Sequence, residues 1–322
     1  MRLSLFVFIV LALTGFQNTI SQERTHPYNQ DEELGKVSWL RDYDASLALA
    51  KKKGKPVLIL FQEVPGCATC RNYGHNVLSH PLMTEAIENE FIALAIFNNK
   101  GGKDREVLTK YKEPSWNNPV VRIVDEKGED LIPRVASDYS AKGLYSAMIK
   151  ALKIYGNPIP EYVKILGKEL TTTTDHNLQE KHFKMFCFWT GEKQLGSQEG
   201  VLATQAGFMD RSEVVRVIYD ANEISEEELS SYAQANEMVP VVKTKFQWSP
   251  RDEDYFIQHS RFKHVPLTEV QKTKINSALG LKQNPQKFLS PKQLQWFKRP
   301  KTKESIFDKD FFDSWDKLAQ ME

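Results

Sequence analysis

The chain has 322 residues with 43 Lys and Arg against 42 Asp and Glu, and its formal charge of +1 gives a polyanion nothing to recognise, which argues against a nucleic-acid protein. A hydrophobic content of 41% with 16 Gly and 15 Pro excludes a low-complexity or fibrous chain, and the length suits two cores better than one. Three cysteines, Cys67, Cys70 and Cys187, are too few for a disulfide-stapled scaffold, so each thiol has to be considered for its own chemistry.

Residues 3–13 are almost wholly apolar, follow Arg2, and lead into a polar stretch with Thr19 and Ser21 before Gln22. That is the layout of a secretory signal, and the run falls well short of the roughly 20 residues that cross a bilayer. We therefore expect a signal peptide over 1–21 and an exported chain, periplasmic or secreted, with no stable membrane insertion. A polar leader follows over 22–36. Helical spacing over 45–53 stops at Gly54-Lys55-Pro56, and the apolar run 57–61 predicts a buried strand. Pro65-Gly66 breaks that strand, and Cys67-Ala68-Thr69-Cys70 opens a helix. Helices over 81–90, 105–111 and 141–154 alternate with strands over 91–97 and 120–124 and a short strand near Leu131, so one α/β domain spans 37–156. Residues 157–174, with Pro158, Pro160 and a threonine run, suit a linker.

In the second half, a strand over 183–186 runs through Cys187 into a helix ending near Gly196. Two β-rich runs, 201–208 and 213–219, flank a short polar turn as in a hairpin. Ser225 and Glu228 form a capping box that starts a helix to about Ala235, and 239–246 suits another strand. The order β-α-β-β-α-β predicts a split βαβ unit, the ferredoxin-like plait, over 175–280. Helices over 250–258, 268–279 and 290–297, the last with Pro291 at its first position, add to it and begin a helical C-terminal extension over 281–322. The expected fold class is thus α/β followed by α+β.

Cys67 and Cys70 stand three apart at a strand-to-helix junction. Backbone N–H groups and the helix dipole favour a thiolate at Cys67, and Cys70 lies one turn later within disulfide reach, so Cys67 is the attacking thiol. The same residues also fit Cys67-x2-Cys70-x4-His75-x4-His80, a spacing whose four ligands would suit tetrahedral zinc. The strand and helix around them belong to a larger α/β unit that needs no metal to fold, so His75 and His80 are expected to be ordinary histidines, with no metal or cofactor. The run Val57-Leu58-Ile59-Leu60-Phe61, the Cys67/Cys70 pair and Asn118-Pro119 before a strand resemble the thioredoxin-like superfamily over about 37–155. That resemblance implies that Pro119 is the cis-proline facing the thiols and lines the substrate site. It departs at Gly66, where the family usually has tryptophan.

Around the third thiol, Cys187-Phe188-Trp189 with Glu192, then Ala206-Gly207-Phe208, Glu213 before a Val-Arg-Val strand and Ser225 with Glu228, resemble the A-type peptide methionine sulfoxide reductases over about 175–280. Sulfoxide reduction needs a thiolate to attack sulfur, an acid to protonate the departing oxygen, and an apolar box for the methyl group. The resemblance implies Cys187 for the first, Glu213 for the second, and Phe188 with Trp189 for the third. Phe186 stands where the family has glycine, and the family's tyrosine-bearing loop before the acid is shortened to 209–212. Asp252, Asp254 and Tyr255 fall on one predicted helix and are expected on a solvated face.

Attack on a sulfoxide leaves Cys187 as a sulfenic acid, and no second cysteine exists in that half. The expected function is therefore an exported thiol-dependent oxidoreductase that reduces methionine S-sulfoxide through Cys187, with recycling by Cys67 and Cys70. Its partners would be an oxidised-methionine peptide or protein and an external dithiol reductant. The alternative is a thiol–disulfide oxidoreductase acting on other exported proteins, its second half degenerate and used for binding.

Overall fold

The computed structural model describes residues 23–116, 118–172, 177–242, 245–299 and 304–321. The signal peptide expected over 1–21 lies outside them. The first half alternates α1 (Tyr43–Lys53), β1 (Val57–Gln62), α2 (Ala68–Asn76), α3 (Pro81–Glu90), β2 (Ile92–Phe97), α4 (Lys103–Tyr111), β3 (Val120–Val124) and α5 (Ala141–Tyr155). Helix α1 begins where the Asp42 side chain accepts the Ala45 N–H and ends at Gly54 in the left-handed region. Strand β1 is buried along its whole length because helices cover both faces of the sheet. Its alternation divides two cores: Leu58 and Leu60 point to one, Val57, Ile59 and Phe61 to the other.

Strand β1 runs parallel to β2 and antiparallel to β3, in the order β2-β1-β3. Bridges from Leu40 to Leu94, and from Val135 and Asp130 to β3, widen the sheet at both edges. The strand expected near Leu131 exists only as those last two bridges.

Residues 157–174 are not a polar spacer. Helix α6 (Glu161–Thr172) starts directly after Pro160, a position where the missing N–H and fixed φ do no harm. It buries Tyr162, Val163, Ile165, Leu166 and Leu170 in one core with α3 and α5. The prolines suggested a linker because they punctuate sequence, but the apolar residues behind them recur at helical spacing. Leu166→Ala is expected to lower stability by about 2–5 kcal/mol, read as a drop in calorimetric Tm.

The second half continues with β4 (Leu178–Lys184), α7 (Phe188–Leu195), β5 (Val201–Met209), β6 (Ser212–Asp220), α8 (Glu226–Ala235), β7 (Val239–Val241), β8 (Gln247–Trp248), α9 (Tyr255–Gln258), α10 (Glu269–Gly280), α11 (Pro291–Lys298) and α12 (Phe311–Ala319). The sheet order is β7-β4-β6-β5-β8 with every pair antiparallel, and its first four members are the split βαβ arrangement. The β5–β6 hairpin turns on Asp210 and Arg211, with φ of 48° and 65°, which matches the twist of the flanking strands. The capping box at Ser225 and Glu228 is formed.

Three boundaries differ from expectation. Strand β4 ends at Lys184, leaving Phe186 98% exposed on the approach to Cys187. Of the strand expected over 239–246, β7 covers Val239–Val241, and residues 243 and 244 lie outside the described residues. The helix expected over 250–258 shrinks to α9, because Asp254 at φ 53° breaks the helical path just before it.

The extension folds back on the first half. Trp296, Phe311 and Trp315 are buried in the core that holds Leu34 and Leu82, Asp316 takes Lys36 and Tyr28, and the Lys292 N–H donates to Glu85 Oε2 at 2.8 Å. Among the described residues no helix is long and apolar enough to cross a membrane.

Candidate functional site

The turn after β1 carries a cis peptide bond at Val64–Pro65, and the loop before β3 carries another at Asn118–Pro119. Cys67 is the N-cap of α2 and is exposed, while Cys70, one turn on, is fully buried. Their sulfurs are 3.6 Å apart, both reduced. The Cys67 thiol is lowered below its ordinary value, chiefly by the Cys70 backbone N–H and further by the Cys70 thiol and Thr69. Burial, with the Cys67 sulfur beside it, pushes Cys70 up to about 12. Its thiol donates to Asn118 Oδ1 at 2.8 Å, so the residue next to Pro119 holds the second sulfur in place.

Two buried groups brace this turn. The Gln62 amide donates to the carbonyls of Glu33 at 2.9 Å and Cys70 at 3.2 Å, and Glu33 accepts the Gly66 N–H at 2.7 Å. A Cβ at Gly66 would lie 2.3 Å from the Glu63 carbonyl oxygen and 2.8 Å from the Cys70 Cβ. Close packing thus explains the departure from tryptophan at this position. Gly66→Ala is expected to destabilise by about 1–3 kcal/mol, visible as a lower Tm.

The histidines do not join the thiols. His75 pairs with Asn76, and His80 is packed edge-on against Phe312, where burial lowers it to about 4.

The second site forms at the start of α7. Cys187 is its N-cap, half-buried, and the Phe188 N–H donates to Glu213 Oε2 at 2.8 Å. The hairpin register, with Phe208 opposite Glu213, carries that carboxyl group from the start of β6 to the helix N-terminus. Glu213 thus meets the backbone of Phe188, the residue after Cys187. Phe188 is only 5% exposed and sits in the core against Phe208, so it supports the site from beneath. Trp189 is half-buried, with its indole stacked on Tyr255 at 4.1 Å.

That stacking overturns the solvated face expected for residues 252–255. Asp254 is 5% exposed and lies beside Glu192, itself 1% exposed. Burial raises both carboxyls, and the neighbouring acids Glu253 and, for Glu192, Asp252 add to the effect. Lys272 opposes it at Asp254. The sequence sets these acids in one run before Tyr255 and Phe256 and offers no signal that left-handed Asp254 turns inward. A carboxyl raised on folding contributes stability that is present at low pH and lost as pH rises through its folded value. The second half is accordingly expected to melt at a lower temperature at pH 8 than at pH 5.5, and Asp254→Asn should flatten that slope in calorimetry.

The neighbours of Phe188 and Trp189, directly after Cys187, come from β5, β6 and Tyr255, while the Cys67/Cys70 pair is held by the β1–α2 turn and by Asn118 in the loop before β3. The two thiol sites are built separately.

Residues 38–126 match a family model described as thioredoxin-like. Peptide methionine sulfoxide reductases MsrA of Pseudomonas aeruginosa strains LESB58 and UCBPP-PA14 are each 34% identical over 89 residues, covering 22% of this chain and 41% of theirs. The chain thus spans about two fifths of the length of the curated relatives it matches. Among solved structures, a DsbH oxidoreductase aligns at 19% identity and a TM-score of 0.31 over 36% of this chain and 85% of its own. A disulphide isomerase from Xylella fastidiosa Temecula1 aligns at 24% and 0.24 over 35% and 82%.

Proposed function

We propose, on the premise that residues 38–126 are a thioredoxin-like domain joined to a segment similar to peptide methionine sulfoxide reductases, that this chain is an exported oxidoreductase reducing methionine S-sulfoxide at Cys187 and recycled by Cys67 and Cys70. The observation that supports it most is the hydrogen bond from the Phe188 N–H to Glu213, which holds an acid at the N-terminus of the helix whose N-cap residue is Cys187.

The Cys187 thiolate attacks the sulfoxide sulfur while Glu213, in its protonated form, gives a proton to the oxygen. The hydroxyl so formed passes to the Cys187 sulfur as the sulfur–sulfur bond breaks, releasing methionine and leaving Cys187 as sulfenic acid, the one proton from Glu213 balancing the charge of the thiolate. The Cys67 thiol then displaces water to form a Cys67–Cys187 disulfide, and Cys70 attacks Cys67, freeing reduced Cys187. The Cys67–Cys70 disulfide left behind is reduced by an external dithiol. Because the two sites are built separately, the second step needs a change in their relative position or a second molecule.

The alternative, a thiol–disulfide oxidoreductase with a binding module, draws on two observations. The hairpin turn contains only Asp210 and Arg211, with no tyrosine, and Tyr255 covers one face of Trp189. Glu213→Gln separates the two. Under the reductase reading it lowers sulfoxide reduction by about 10²- to 10⁴-fold while leaving insulin disulfide reduction intact; under the alternative neither rate moves.

A further inference from the structure

Glu63, Cys67 and Cys70 each offer one ligand atom, and the three atoms lie within 4.8 Å of one another. They come from a single short turn: Glu63 directly follows β1, Cys67 caps α2, and Cys70 sits one turn inside it. We propose that the reduced pair and Glu63 form a three-ligand site for zinc, with a fourth position open to water, so that zinc competes with substrate for the same thiols. This ligand set differs from the His-containing one suggested by spacing, because His75 bonds to Asn76, His80 packs on Phe312, and neither joins the cluster.

The geometry suits that ion. Two sulfurs each about 2.3 Å from a tetrahedral zinc lie about 3.8 Å apart, and the Cys67 and Cys70 sulfurs are already separated by 3.6 Å. A carboxylate oxygen bound at about 2.0 Å would stand about 3.5 Å from each sulfur, and an oxygen of half-buried Glu63 already lies within 4.8 Å of both. Asn118 Oδ1 accepts the Cys70 thiol proton in the free protein and loses that donor when the thiol is ionised. Two thiolates with one carboxylate match a borderline-soft, tetrahedral cation, whereas magnesium and calcium require an all-oxygen shell. Binding converts two thiols to thiolates and releases their protons to solvent, with no change of oxidation state. The inference needs only the reduced pair and is independent of what Cys187 does.

The test uses the reduced full chain, freed of reductant under argon, with zinc titrated against a chromophoric chelator and no sulfoxide or disulfide substrate present. One zinc per chain is expected, with at least tenfold weaker binding in Glu63→Gln and loss of stoichiometric binding in Cys70→Ser. His75→Ala should be unchanged. Zinc should also slow alkylation of Cys67 at least tenfold in the parent protein, and cobalt in its place should give thiolate charge-transfer absorption that Cys67→Ser diminishes. Equal affinity in Glu63→Gln, retention of one zinc by a Cys67→Ser/Cys70→Ser double variant, or no stoichiometric binding would each overturn the proposal. Metal-free disulfide exchange, measured separately, reports on the oxidoreductase reading alone.

Discussion

In a Cys187→Ser background, alkylation of the reduced protein is expected to follow a single titration below the ordinary thiol range, and Cys67→Ser should slow it more than about 10³-fold. The hydrogen bonds from Cys70 and Thr69 favour the Cys67 thiolate, so the reactive form persists as pH falls below 9 and is lost only as pH falls through the lowered folded value. Cys70 contributes nothing to this profile, because burial keeps it protonated up to about 12 and it has no solvent access. Its role appears after attack: Cys70→Ser should alkylate as fast as the parent yet stall as a mixed disulfide with a protein substrate. The check is a stopped-flow pH series from 5 to 10, paired with mass analysis of the trapped species. Equal reactivity of the two thiols would contradict the assignment.

The second large effect is a change in the product. Treated with one equivalent of peptide methionine S-sulfoxide and no reductant, the reduced parent protein should end with a Cys67–Cys70 disulfide and a free Cys187 thiol. Cys67→Ser should complete the same single turnover and stop with Cys187 as sulfenic acid, captured by a sulfenic-acid-specific nucleophile. The balance of labelled Cys187 between the two proteins is therefore expected to reverse almost completely. Since Cys187 and Cys67 are assembled from different halves of the chain, the rate of recovery also matters: independence of protein concentration marks transfer within one chain, and proportionality marks transfer between two. Full multiple turnover by Cys67→Ser with a donor that reduces only disulfides would exclude the Cys67/Cys70 pair as the resolving thiols.

Much of the frame was legible because it rests on local rules. The run 57–61 is apolar throughout and flanked by Gly54 and Pro65, so a buried strand was the natural reading, and the capping box at Ser225 marked its helix to the residue. Ser225 and Glu228 are three apart, and so are Cys67 and Cys70, and such short spacings survive folding unchanged. What failed depended on distant partners. Helix α6 was obscured by prolines whose meaning changes once α3 and α5 offer an apolar surface. The resemblance puts Phe188 with Trp189 in the box for the methyl group, and nothing local discloses that Phe208 on the hairpin packs against it. Asp254 was read as solvated, and one left-handed φ turns it into the interior against Glu192. Nor does spacing disclose that Glu63 reaches the thiols, or that Asn118 receives the Cys70 proton from 48 positions away.

The central claim is that Cys187 is a sulfoxide-reducing thiol. Its most direct test is stereospecific reduction of a peptide methionine S-sulfoxide by the protein with dithiothreitol, beside Cys187→Ser. Turnover of the S but not the R epimer, abolished in the variant, is the predicted result. No turnover by the parent protein, or equal turnover by the variant, would contradict it and leave the thioredoxin-like dithiol as the redox centre.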